Sequence, residues 1–330
     1  MKRVNLAFIS ATLAAALTSS VGAQTIGTVG IALPTDTSPR WVKQSQVMVD
    51  LFTEAGYGVD LRFAQGDVAQ QRRQIAAMIA SEDKVLVIAA IEGAALAAVL
   101  DSAAKASRII AYDTPIRGSG RVDYLVAFDH FQLGVQQADS LISGLKQRFP
   151  GVRPWNVQLT GGEMVGKGPN DAGASLSNQG AMSVLQPLIE AGGIVLVAGQ
   201  SGQPLHGLLI GPQAGSTGVV VPLKTADDGS GALTLPVVTG QGADLPSVRA
   251  IIAGDQYSTQ FMDSRELAKA AAGMVNALMH DAVPSVNDTT SHDNGVRIVP
   301  AYQLVPVMVD ASNYQTVLVD SGYLNAEDVQ

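Results

Sequence analysis

Lys84 to Ala90 reads KVLVIAA. It is an apolar run of the kind that a parallel sheet buries on both faces. The flanking segments carry a different period. Asp67 to Ser81 places Val68, Ile75, Met78 and Ile79 on one helical face, and Gly93 to Ser107 reads as a further helix. Upstream, Thr25 to Leu33 (TIGTVGIAL) is a buried strand. Ser38 to Glu54 is a helix with Val42, Val47, Met48 and Leu51 as its apolar stripe and Gly56 closing it. Val59 to Phe63 alternates as a strand. Downstream, Arg108 to Tyr112 and Tyr124 to Phe128 are the fourth and fifth strands. Strands alternating with helices predict an α/β domain with a parallel sheet and right-handed crossovers.

The pattern restarts after Gln132. Leu133 to Phe149 and Gln179 to Glu190 are helices; Asn156 to Thr160, Ile194 to Ala198 and Val237 to Thr239 are strands; Ser247 to Ile252 is a short helix. Ser264 to Met279 is the clearest helix, with Ser264 as its expected N-cap and Leu267, Ala271, Met274, Val275 and Leu278 turned inward. Two α/β units imply two similar domains. In such folds ligands bind beyond the carboxyl ends of the strands, here in the cleft between the domains.

The amino terminus sets the compartment. Met1-Lys2-Arg3 is basic, and Val4 to Leu17 is apolar apart from Asn5, Ser10 and Thr12. Thr18 to Ala23 ends in small residues. This is the pattern of a secretory signal peptide (residues 1–23) with cleavage after Ala23. A buried helix or a membrane anchor is the competing reading, but the apolar stretch falls short of the roughly 20 residues that span a bilayer. The expected location is the periplasm. The chain of 330 residues has no Cys, so an exported form holds no disulfide and relies on buried apolar surface. Its net charge is −8 with scattered Lys and Arg, which argues against nucleic acid as a partner. There is no Gly-x-Ser-x-Gly elbow, Walker-type loop or His-Glu-x-x-His motif. His130, His206, His280 and His292 do not stand at metal spacing. Neither an enzyme, a metal nor a cofactor is indicated.

Many segments, in order, resemble the ribose/xylose/galactose-type periplasmic sugar-binding proteins of ABC importers, closest to the multiple-sugar and xylose-binding branch. They include Ile31 to Trp41 (IALPTDTSPRW), Val85 to Glu92 (VLVIAAIE), Ile110 to Asp113 (IAYD), Phe128 to Gly134 (FDHFQLG), Pro246 to Thr259 (PSVRAIIAGDQYST) and Leu318 to Leu324 (LVDSGYL). The resemblance implies a two-lobed type I periplasmic-binding-protein fold, with two doubly wound parallel-sheet domains and three hinge crossings. These are expected near Phe128–Phe131, Gln256–Gln260 and Gln303–Pro306. The lobes would then be residues 24–129 plus 258–304, and 130–257 plus 305–330. The implied role is solute binding for an ABC permease in the inner membrane, with a monosaccharide such as xylose, glucose or galactose as ligand. A sugar-sensing lobe for a chemoreceptor or sensor kinase, a binder of altered or weakened affinity, and a secreted enzyme on the same scaffold are the alternatives.

A sugar site needs planar donors and acceptors for vicinal hydroxyls and an aromatic plate for the apolar ring face. By resemblance, Arg40 donates and Trp41 stacks, although Trp41 also reads as a core residue at a helix start. Asp113 ends a strand where the family keeps Asp; a plain turn carboxylate reads the same way. Glu92, His130, Asn170, Asp171 and Gln241 complete the expected ligand set. Thr114, Asp129-His130, Gln213-Ala214, Gly242 and Met262 depart from the family pattern and remove charge or donors. The second lobe is also shortened near 198–210. Only Gln200 to His206 (QSGQPLH) joins IVLVAG to GLLIG, so the two runs are expected to pair as an antiparallel hairpin, or the second to leave the sheet, with apolar area exposed.

Overall fold

Alternation within single strands builds the first lobe. β1 (Thr28–Leu33), α1 (Pro39–Glu54), β2 (Gly58–Phe63), α2 (Val68–Ala80), β3 (Val85–Ile88), α3 (Ala97–Asp101), β4 (Arg108–Tyr112) and β5 (Tyr124–Phe128) follow one another. In β1, Val29, Ile31 and Leu33 join one buried cluster while Ala32 joins another. Val85 and Val87 of β3 face the first cluster; Leu86 and Ile88 face the second. Ile110 and Tyr112 of β4, and Val126 and Phe128 of β5, repeat the rule. The period of two therefore feeds two helical layers, and the whole run reads as apolar. The computed structural model describes residues 26–102, 107–160, 172–197, 204–211, 226–227 and 233–329. The leader, Asn170, Asp171 and Gln213 lie outside the described residues. Within the helix expected over Gly93–Ser107, the described residues form a 3-10 turn (Gly93–Leu96) and the short α3.

The second lobe begins with α4 (His130–Arg148), β6 (Trp155–Thr160), α5 (Ala172–Glu190), β7 (Ile194–Leu196) and β8 (Gly207–Ile210). A two-stranded ribbon, β9 (Ala226–Asp227) with β10 (Leu233–Thr234), precedes β11 (Val237–Gln241), α6 (Leu245–Ala253) and β12 (Ser258–Phe261). α7 (Ser264–Met279) and β13 (Ala301–Leu304) return to the first lobe, and β14 (Val307–Asp310) to the second. The first sheet runs β13-β5-β4-β3-β1-β2, all parallel. The second runs β14-β12-β11-β8-β6-β7, antiparallel only where β12 meets β14.

Three expectations are corrected. Ser258–Phe261 belongs to the second sheet, so the chain crosses after Phe261 rather than at Gln256–Gln260. The N-cap of α7 is Asp263, whose carboxylate accepts from Arg265 N at 2.9 Å; Ser264 is the first helical residue. β7 and β8 neither form a hairpin nor leave the sheet. Both run parallel to β6, one on each side of it. Apolar surface is exposed at this edge of the sheet, where Val195 and Leu196 of β7 are 43% and 46% exposed.

α4 and α5 cross almost backbone to backbone. A Cβ on Gly134 would overlap the carbonyl oxygen of Ser177, and one on Gly180 would overlap that of Phe131. Glycine inside a helix costs about 1 kcal/mol relative to alanine, so this close approach is what the two glycines supply. Gly134→Ala should destabilise the protein by about 2–3 kcal/mol or more, since two helix backbones must separate. Gly273 of α7 is exposed and has open space around it. Gly273→Ala should therefore gain about 0.5–1 kcal/mol. Chemical denaturation of both variants checks the pair; equal effects would show that the α4–α5 contact is looser than described.

Asp83 sits just before β3, 2% exposed, with its Oδ2 buried and unpartnered. Burial, reinforced by the negative charge of Asp60, pushes its carboxyl up to about 6. The folded state thus holds the proton more tightly than the unfolded chain does. Stability is lost as pH rises from about 4 through 6, by an amount on the order of 2–3 kcal/mol at neutral pH. Asp83→Asn should be the more stable protein at pH 7.5, with the gap closing by pH 4. Parallel pH–stability curves for the two proteins would contradict this.

Candidate functional site

Chemistry on the first lobe collects where β1 and β4 end. Ser38 is extended and Pro39 occupies the first turn of α1, where its missing N–H costs nothing. Arg40 and Trp41 follow in the same turn of α1. Arg40 Nη2 lies 2.6 Å from Asp113 Oδ1, and its guanidinium carbon is 4.8 Å from the centre of the Trp41 ring. Trp41 in turn meets Tyr112, with ring centres 6.4 Å apart and planes tilted by 55°. Trp41 is half-buried and packs against the first-lobe core.

Asp113 is held in a strained conformation. Its φ is +65°, and Thr114 N donates to Tyr112 O at 2.7 Å, closing a γ-turn around it. A left-handed backbone at a non-glycine residue costs on the order of 1–3 kcal/mol. The Arg40 partner is 46% exposed, and a surface ion pair of this kind contributes about 1 kcal/mol or less. The pair alone does not offset the strain. The sheet does: Asp113 N donates to Val126 O at 2.8 Å, fixing the turn to β5. Beneath it, the Tyr112 hydroxyl is buried without a partner. Burial first, and then the charge of Asp113, drive its ionisation well above the usual tyrosine range.

The second lobe offers Gln241 at the end of β11. Its Nε2 donates to Gln137 Oε1 at 3.0 Å and to Ser177 Oγ at 3.1 Å. Gln137 is fully buried and donates to the carbonyls of Ile210 and Thr239. Gln241 is therefore oriented by two helices and two strands. Gly242 follows with φ +92°, a backbone that an Asp there would adopt only under strain, and its carbonyl accepts from Thr259 Oγ1 at 2.7 Å.

The expected set is thus partly assembled. Arg40, Trp41 and Asp113 converge. His130 opens α4 at the first crossing, next to Asp129, which caps that helix through Gln132 N. Glu92 is exposed at the end of β3, in a loop whose Gly93 abuts the carbonyl of Pro115 after Asp113. Met262 packs against the first-lobe core instead of facing the cleft as a polar group. Gln137, Ser177 and Tyr112 were not anticipated. Only Gln137 left a signal, as a polar residue on the apolar stripe of α4 between Leu133 and Leu141. A cavity of about 170 Å³ is lined by Ile116, Val122, Leu125 and Val299 of the first lobe and by Leu176 and Gln179 of α5, and by none of the residues of the expected set. Among the described residues no group of His, Asp or Glu could hold a metal ion, and no helix is long and apolar enough to cross a membrane.

Comparison with known proteins matches this geometry to a family. The model of a periplasmic binding protein domain fits residues 29–207. The multiple sugar-binding periplasmic receptor ChvE of Rhizobium radiobacter is 43% identical over 92% of this chain and 92% of its own length. The multiple sugar-binding periplasmic protein SbpA of Azospirillum brasilense is 42% identical over 91% and 90%. An ABC transporter solute-binding protein of Clostridium phytofermentans, solved with bound β-D-glucose, superposes with a TM-score of 0.77 at 34% identity, covering 92% of this chain and all of that one. These relatives are receptors and binding proteins, not enzymes. On the family model over more than half its length, and on identity above 40% along nine-tenths of it, the chain belongs to the periplasmic binding proteins, in the branch of the multiple sugar-binding receptors.

Proposed function

We propose that this protein binds a monosaccharide of the glucose, xylose or galactose kind between its lobes and hands it to an ABC permease. The observation that carries the reading is the Arg40–Asp113 pair lying against the Trp41 ring. A guanidinium and a carboxylate side by side match a vicinal diol, one donating and the other accepting. The indole beside them suits the apolar C–H face of a pyranose. Gln241, fixed from behind by Gln137 and Ser177, brings an amide from the opposite lobe. The relatives named above are sugar receptors, and one of them holds β-D-glucose. Thr114 and Gly242 supply no charge where related pockets have one, so the first lobe anchors the ligand and affinity is modest. Rotation of one lobe on the other would then present a closed face to the permease.

A thermal-shift screen of the purified protein against a panel of sugars and polyols tests the proposal. A true ligand at 100 times its Kd adds about 2.7 kcal/mol of stability. No response from any sugar, or turnover of one, would overturn it. Two variants locate the site. Trp41→Ala should weaken binding about tenfold while costing less than the roughly 3–5 kcal/mol of a fully buried aromatic. Asp113→Gly relieves the positive φ, so the sugar-free protein should melt no lower than the parent, while losing its ligand. Calorimetric titration alongside melting curves separates the outcomes. Sugar affinity that survives in both variants would place the site elsewhere.

A further inference from the structure

The carboxyl-terminal segment reaches from one lobe to the other beside the site. Leu318, Leu324 and Val329 pack with Phe261, Val248 and Val309 of the second lobe, and Arg249 donates twice to Asp328 O, at 2.6 and 3.0 Å. Tyr323 belongs to the same cluster, its ring edge-on to Phe261 at 4.5 Å. Two cations of the first lobe stand over that ring. Arg265 of α7 lies 5.3 Å from its centre, and Lys43 of α1 lies 5.2 Å away. Arg265 is itself fixed, by a paired bond to Asp263 and by donation to Ser321 O at 3.0 Å.

The two cations are not equivalent. Asp263 and Arg265 stand directly after the second crossing, so their contact with Tyr323 lies near the hinge and survives its rotation. Lys43 lies three residues along α1 from Arg40 and two from Trp41, in the body of the first lobe. Its contact with Tyr323 exists only while the lobes are near one another. We propose that Lys43 and Tyr323 form a latch between the lobes that favours the closed arrangement, acting as positioning residues for a ligand held by Arg40 and Trp41. Two features support this geometry. Lys43 is exposed, so it is not needed to complete the first-lobe core. Lys43 also follows Arg40 by three residues on α1, which sets the Lys43–Tyr323 contact near the Arg40–Asp113 pair.

The proposal rests on the sugar-binding reading for its ligand effect, but not for its effect on shape. Lys43→Gln, Lys43→Arg and Tyr323→Leu are compared with the parent by small-angle scattering without sugar and by stopped-flow dissociation of D-glucose. One cation–π contact corresponds to a change of roughly 3- to 10-fold. Lys43→Gln should enlarge the sugar-free radius of gyration and speed dissociation by that factor, with an unchanged melting temperature. Lys43→Arg should restore both, and Tyr323→Leu should match Lys43→Gln in both readouts. An unchanged radius in Lys43→Gln, or a change that Lys43→Arg fails to reverse, overturns the latch. If the parent binds no D-glucose, the ligand reading fails for that sugar, while the radius comparison still decides the latch.

Discussion

A parallel sheet covered on both faces leaves polar groups one exit, the carboxyl ends of its strands. Every residue of β3 and nearly every residue of β4 is committed to one helical layer or the other. A carboxylate or amide inside such a strand would need a buried partner. Asp83 shows the penalty on the wrong side of the sheet, where a carboxyl with an orphan oxygen is forced toward its neutral form. At the other end the chain leaves the sheet and the constraint lifts. Asp113 stands one residue past β4, Gln241 ends β11, and Arg40 lies in the first turn of the helix that follows β1.

Fixing position has a cost at Asp113. Its left-handed backbone is unfavourable by more than its ion pair returns, so the turn depends on the ladder between β4 and β5. Gln241 is fixed by a different device, a buried glutamine that ties α4 to two strands and leaves its own acceptor for the site residue. One half of the candidate site is held by backbone bonds to the sheet and the other by a side-chain network. Charge sits on the first half and neutral amides on the second.

Much of the first lobe could be read directly from the residues, because a strand buried on both faces needs an unbroken apolar run and each helix needs a stripe. The second lobe was harder for definite reasons. Ser258, Thr259 and Gln260 are polar yet fully buried, because Ser258 shares a hydrogen bond with Ser140 and Gln260 donates to Leu133 O. A strand made of such residues looks like a hinge. β7 and β8 are only 3 and 4 residues long, too few to encode which neighbour each one pairs with. The candidate site residues Arg40, Trp41 and Asp113 are legible only through resemblance to a family; neither the strain at Asp113 nor the anchoring of Gln241 follows from spacing or composition.

The crossings leave from neighbouring strands. β5 leads to α4, β12 to α7 and β13 to β14, all at one margin of the two sheets. A pivot at that margin turns each sheet into a lever graduated in strands, about 4.8 Å apart. β4 lies two strands from the pivot edge and β2 five. For each ten degrees of rotation the end of β4 would travel about 1.7 Å, and β2 about 4 Å, by that spacing. The short arm carries Asp113, so the carboxylate would travel less than half as far as the rim at β2. A ligand held at Asp113 would be displaced less than one held at the outer edge, where the larger part of such a motion would fall.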